Sequence, residues 1–159
     1  MVAVTRILAI DPGYIQSAWL ALDDGVPTTF RIEPNDDLLV ALRGIEYLIG
    51  GADVVVIEQI ESYGMAVGRE VFETVRWAGR FEEAAHPIRV EMMPRRRVKT
   101  HLCGSARAKD ANIRQALVDR FGGDSVYRGT KAAPGPLYGI SKDVWSALGI
   151  AVTYAEGGR

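Results

Sequence analysis

The chain has 159 residues, 48% of them apolar, which is enough for one domain over residues 1–159 with a core of its own. No run approaches the ~18–20 uninterrupted apolar residues of a membrane span, no secretory leader pattern opens the chain, and a single cysteine, Cys103, excludes an internal disulfide, so a cytoplasmic protein without a membrane partner is expected. The net charge of −1 hides a division: residues 1–91 carry 7 basic and 15 acidic side chains, residues 92–159 carry 12 and 5. A basic half beside an acidic pocket suits a polyanion brought to a metal ion; solvated helix faces are the plain alternative.

Taken in chain order, residues 4–11 read as a strand, and 15–22 and 26–32 as two more, joined by the turn Asp23-Asp24-Gly25. The short spacing makes these three antiparallel neighbours. A helix is expected from Asp36 to Ile49, capped by Asn35, stopped by Gly50-Gly51, with Leu38, Leu42, Ile45 and Ile49 on its buried stripe. Residues 53–58 form a continuous apolar strand, buried on both faces. A loop containing Tyr63-Gly64-Met65 leads to a helix over 67–85, with Val67, Val71, Val75, Ala78 and Ala85 inward and His86-Pro87 at its end. A fifth strand spans 88–93, a short helix starts at Pro94, and another covers 108–121 with Ile113, Ala116, Leu117 and Phe121 on one face. Residues 122–141 read as a Gly- and Pro-rich surface loop, and Ser141 caps a last helix over 142–156.

Three acids stand where elements begin or end. Ile7-Leu8-Ala9-Ile10-Asp11-Pro12-Gly13 is an apolar strand ending in a carboxylate, Val54-Val55-Val56-Ile57-Glu58 is another, and Asp143 opens the last helix. Converging acids raise one another's pKa unless a cation joins them, and hard oxygen ligands of this kind gather magnesium. Two such ions would stabilise the attacking water and the leaving oxygen of an in-line phosphodiester hydrolysis. Each acid also has a plain reading: a turn former, a buried strand end, a complement to a helix N-terminus. No Ser/His/Asp set suggests covalent catalysis, and His86 and His101 lack metal-ligand spacing.

The element order predicts an α/β fold: a ribonuclease H-like mixed five-stranded sheet, three antiparallel strands followed by alternating helix and strand, with helices on both faces. ILAIDPG, VVVIEQ and DVWSALGIAVTYAE resemble the three catalytic blocks of the RuvC family of Holliday junction resolvases, and PRRRVKTHLCGSARAKDANIRQALVDRFG resembles its basic segment. The middle stretch IESYGMAVGREVFETVRWAGRFEEAA is more similar to phage- or prophage-borne members. The resemblance implies magnesium-dependent cleavage of branched DNA by a homodimer, with manganese able to substitute and no nucleotide cofactor. It assigns Asp11, Glu58 and Asp143 as catalytic metal ligands and places Lys99 and Lys109 near DNA phosphates. The family's last block offers two acid-or-histidine positions three residues apart; here they fall on Asp143 and Ser146. A serine hydroxyl is a weak magnesium ligand, so either Asp143 completes the site alone or an acid such as Glu61 assists.

Further DNA contacts are expected from Arg95, Arg96, Arg97 and Arg107 in the basic segment, and from Tyr63 and Met65, whose loop would reach over the site and wedge into an unstacked junction. The helix over 67–85 carries Val71, Phe72, Val75, Trp77 and Phe81, more apolar width than one face needs, and this surplus fits a dimer surface. A nuclease acting on RNA or flapped DNA, and a non-catalytic junction binder, are the competing expectations. An actin-like nucleotide-binding fold would need a second domain.

Overall fold

Alternation along two parallel strands decides which way the central acids face. The computed structural model describes residues 6–45 and 50–157. In chain order it forms β1 (Arg6–Asp11), β2 (Gln16–Asp23), β3 (Val26–Pro34), α1 (Asn35–Arg43), β4 (Val54–Gln59), α2 (Arg69–Ala84), β5 (Val90–Pro94), α3 (Arg95–Cys103), α4 (Asp110–Arg120) and α5 (Val144–Ala155). The five strands make one sheet in the order β3-β2-β1-β4-β5. β1–β2 and β2–β3 are antiparallel; β1–β4 and β4–β5 are parallel.

Side chains two apart on a strand share a face. Ile7, Ala9, Val54, Val56 and Met93 pack with Val98, Leu102, Ile113, Leu117, Ala147, Leu148 and Ala151, so one face is covered by α3, α4 and α5. Leu8, Ile10, Val55 and Ile57 pack with Leu38, Leu42, Ala78 and Phe81 from α1 and α2 on the other. The parity that sends Ile7 and Ala9 toward α5 also sends Asp11 there, and Val54 and Val56 do the same for Glu58.

α5 is apolar nearly all round, with Val144 and Ala147 through Thr153 buried, as befits a helix enclosed by sheet and neighbouring helices. Gly149 permits this close approach: a Cβ there would stand 3.2 Å from Val98 Cγ1 of α3. No helix among the described residues is long and apolar enough to cross a membrane.

Several local expectations need correction. α1 ends at Arg43 with Gly44 as its cap, well before Gly50-Gly51, and Ile49 lies outside the described residues. Asn35 is the first residue of α1 rather than its cap; Pro34 takes that place. On α2 the buried stripe is Ala78 and Phe81, continued by Ala85, whereas Val67 and Val75 are exposed. Phe81 is fully buried, so it belongs to the core and not to a dimer surface; Phe72, 64% exposed, remains outside. The stretch 122–141 is anchored as well as superficial, because Leu137 and Ile140 sink into the core. Ser141 does not cap α5 with its side chain; the N-cap position falls to Asp143.

Candidate active site

β1 and β4 run parallel with Ile10 beside Ile57, so the next residues along, Asp11 and Glu58, emerge side by side at the carboxyl end of the sheet. Glu58 is buried, and Asp11 is half-buried. The Asp11 carboxyl is pushed up to about 9 by its burial, then by the hydrogen bond and negative charge of Glu58 and the charge of Asp143, with Arg95 offsetting part of this.

The turn after Asp11 is built tightly. A Cβ at Gly13 would lie 2.2 Å from the Gln16 carbonyl oxygen, which reserves the position for glycine. Ser17 Oγ accepts from the Gly13 N–H at 3.1 Å, Asn35 Nδ2 donates to the Gly13 carbonyl at 2.9 Å, and Ser17 Oγ donates to Asn35 Oδ1 at 2.6 Å. The buried amide of Asn35 thus locks the loop that fixes the end of β1.

Asp143 reaches the same place from another element. It sits in helical conformation at the N-cap of α5, and its side chain makes no capping hydrogen bond. The carboxylate is therefore not consumed in finishing the helix. Lys142, one residue earlier, holds a left-handed backbone with φ 49° as the chain turns into α5. Asp11, Glu58, Gln59, Ile60, Glu61, Tyr63, Arg95, Asp110, Asp143 and Ser146 line one open cleft of about 390 Å³. The structure thus gathers the three predicted acids, with Glu61, Tyr63 and Ser146 beside them.

The basic residues divide differently from expectation. Arg95 does not point to open solvent: its Nη1 lies 3.2 Å from Glu58 Oε1 and 3.4 Å from Ser146 Oγ, and its Nη2 hydrogen-bonds Asp110. Burial works against the charge of Arg95, but the hydrogen bonds and charges of Asp110 and Glu58 prevail and raise its pKa further. Arg96 pairs with Glu61 at 3.0 Å. Arg97 is half-buried, while Arg107 and Lys109 are exposed. Lys99 lies about one turn along α3 from Arg95, and Lys109 immediately precedes Asp110; neither lines the cleft. His101 hydrogen-bonds Glu156 beside the Arg120–Glu156 ion pair, and the two contacts together tie α3, α4 and the end of α5. Tyr63 and Met65 are 69% and 75% exposed, so they are not packed on the following helix. Cys103 is a partly buried packing residue.

Sequence reasoning missed Asp110 and the inward aim of Arg95. It also missed a basic, aromatic recess of about 250 Å³ beside the start of α5, lined by Arg114, Arg128, Lys142, Tyr127 and Trp145 among others. There the Arg114 guanidinium stacks 4.8 Å from the Trp145 ring centroid.

Among the described residues, no three Asp, Glu, His or Cys side chains are gathered closely enough to hold an ion as they stand. Arg95 engages one Glu58 oxygen instead. The donor chemistry nevertheless fits a hard divalent cation. Carboxylates of Asp11, Glu58 and Asp143 border one cleft, and Asp11 is held protonated by burial and acidic neighbours, a state that a cation would relieve.

No protein-family model matches the chain, and no curated protein matches its sequence. Solved structures do match. The Thermus thermophilus RuvC structure superposes with a TM-score of 0.68 at 16% identity, covering 96% of this chain and 97% of that one. T. thermophilus RuvC in complex with a Holliday junction substrate superposes with a TM-score of 0.69 at 19% identity, over 95% and 93%. The chain therefore has the RuvC fold, a ribonuclease H-like mixed sheet with helices on both faces.

Proposed function

We propose that the chain is a divalent-metal-dependent, structure-selective endonuclease of branched DNA, cutting four-way junctions as a cytoplasmic homodimer. The observation that carries this reading is the convergence of Asp11, Glu58 and Asp143 on one cleft, in a chain with the fold of a protein solved on a Holliday junction. Asp11, Glu58 and Asp143 would hold the cation, magnesium or manganese. Bound there, the ion supplies a more acidic water and charge stabilisation at the leaving oxygen.

The protein's own residues do the rest. The Gly13–Ser17–Asn35 hydrogen bonds hold the end of β1 and the β1–β4 pairing sets Glu58 beside Asp11, so these two carboxylates are held in the sheet before DNA arrives. Lys99, Arg107 and Lys109 lie on α3, on the connection that follows it and at the start of α4, where they would contact backbone phosphates of any sequence. Exposed Tyr63 and Met65 sit on the loop after β4, and Tyr63 itself lines the cleft, so this loop would enter an unstacked junction centre. Exposed Val67, Phe72 and Val75 around the start of α2 form the apolar surface offered to a second copy.

A non-catalytic junction binder is favoured by one observation, the guanidinium of Arg95 on Glu58. The test is cleavage of labelled four-way, three-way and linear duplex DNA, with and without magnesium, alongside light scattering. Magnesium-dependent paired nicks in the four-way junction by a dimer are expected. Tight junction binding without cleavage at any metal concentration would establish the binder. Cleavage of three-way or flapped DNA by a monomer would establish a simpler nuclease.

A further inference from the structure

Arg95 is the first residue of α3, set directly after Pro94 at the end of β5. β5 runs beside β4 with Met93 opposite Glu58, so the start of α3 falls at the rim where Glu58 emerges. From there the guanidinium forks. Nη1 reaches Glu58 Oε1 and Ser146 Oγ, while Nη2 is held by Asp110 at the first turn of α4. The Arg95 side chain is 30% exposed, so the fork lies within the cleft and still faces its opening.

We propose that Arg95 is a resident cation of the active site, standing beside Glu58 and Ser146 where a second divalent ion would need ligands, so that each chain binds one divalent ion. This rests on the nuclease reading above and specifies how its site is charged.

Two observations support it independently of each other. The first is ligand supply. A hard divalent ion takes six or more oxygens and is bound best by anionic ones. Ser146 offers a neutral hydroxyl, and one Glu58 oxygen already accepts from Arg95. The second is charge. Asp11, Glu58, Glu61, Asp143 and Asp110 carry five negative charges when ionised, and Arg95 together with Arg96, which is paired with Glu61, leaves a balance of −3. One divalent ion brings this to −1; two would make the pocket positive, with an ion pressed against a guanidinium. Asp110 also holds the fork from behind, so its planar donors are preorganised. A guanidinium so placed can donate to a phosphate oxygen that gains charge during hydrolysis, as arginine clamps do in phosphoryl transfer.

The test counts manganese ions bound to the full chain without DNA, by calorimetry and by electron paramagnetic resonance of free Mn²⁺. Wild type is expected to bind one ion per chain. Arg95→Lys, which keeps the charge, should also bind one. Arg95→Gln should bind the first ion about tenfold more tightly, because a positive neighbour is gone. Arg95→Gln combined with Ser146→Asp should bind two. Circular dichroism selects folded variants, and Arg95→Lys supplies the comparison where the neutral variant is unstable. Two ions in wild type, or an isotherm unchanged by Arg95→Gln, would overturn the inference and leave the nuclease reading intact. Junction cleavage is scored separately; one ion per chain with no cleavage would remove the nuclease reading and keep the ion count. No bound manganese in any variant would overturn both.

Discussion

The acids of the cleft come from two kinds of support. Asp11 and Glu58 end strands in the middle of the sheet, half-buried and buried; Asp143 and Asp110 start helices at the surface and are exposed, Asp110 with 82% of its side chain accessible. The strand-borne pair is held rigidly in poor solvation, and Asp11 is pushed up to about 9. The helix-borne pair meets the cleft from water. A fixed, crowded pair gives geometry and a standing demand for positive charge, while exposed acids complete the site at small energetic penalty.

The sharpest way to break this comparison is to neutralise one acid of each kind. Glu58→Gln should reduce single-turnover junction cleavage by about a thousandfold, the scale for removing a preorganised electrostatic group. Asp110→Asn should lower it by about tenfold or less, because Asp110 acts through Arg95. Equal losses would mean that burial does not separate the two pairs.

Much of this was legible in the sequence. The unbroken apolar runs Ile7–Ile10 and Val54–Ile57 mark strands buried on both faces, each closed by an acid. The ribonuclease H-like element order makes the first and fourth strands central neighbours. What was not legible depends on partners far along the chain. Arg95 meets residues 37 and 51 positions away, and Asn35 meets Ser17 and Gly13 across a turn, pairings with no local signature. Arg95-Arg96-Arg97 therefore reads as one basic patch, although Arg95 and Arg96 are committed to Glu58 and Glu61. Phe81 misleads for a similar reason: a wide apolar stripe on α2 reads as surface surplus, but α1 and the sheet cover it.

The metal-free protein offers a pH test of the buried pair. Asp11 has a folded pKa near 9 against 3.8 when unfolded. The native state then holds a proton that the unfolded chain has lost, so this group's contribution is fully present below about pH 4 and is lost as pH rises toward 9. Thermal melts in chelator should fall in Tm from pH 5 to 9, at about 2–4 °C per kcal/mol for a chain of this size. Magnesium should offset the fall, and Asp11→Asn should flatten it. A wild-type Tm rising across that range in chelator would show that Asp11 is not the group under strain.

Removing the lock behind β1 has a smaller effect. Asn35→Ala leaves the Gly13 carbonyl and Ser17 hydroxyl without their partner and should destabilise by about 1–3 kcal/mol in chemical denaturation. An unchanged midpoint would mean that the turn is fixed elsewhere. The smallest change is expected outside the cleft. Lys99→Ala with Lys109→Ala should weaken binding to all DNA shapes alike and flatten the salt dependence by about one to two units of slope. An unchanged slope would move the phosphate surface toward Arg114, Arg128 and Lys142.

The most direct measurement pairs binding with cleavage in one variant. Asp11→Asn removes a single charge from the strand-borne pair and leaves the cationic surface untouched. The account predicts wild-type affinity for a four-way junction, measured in magnesium by mobility shift, with cleavage of the same labelled junction abolished. Cleavage at a rate near wild type would contradict it.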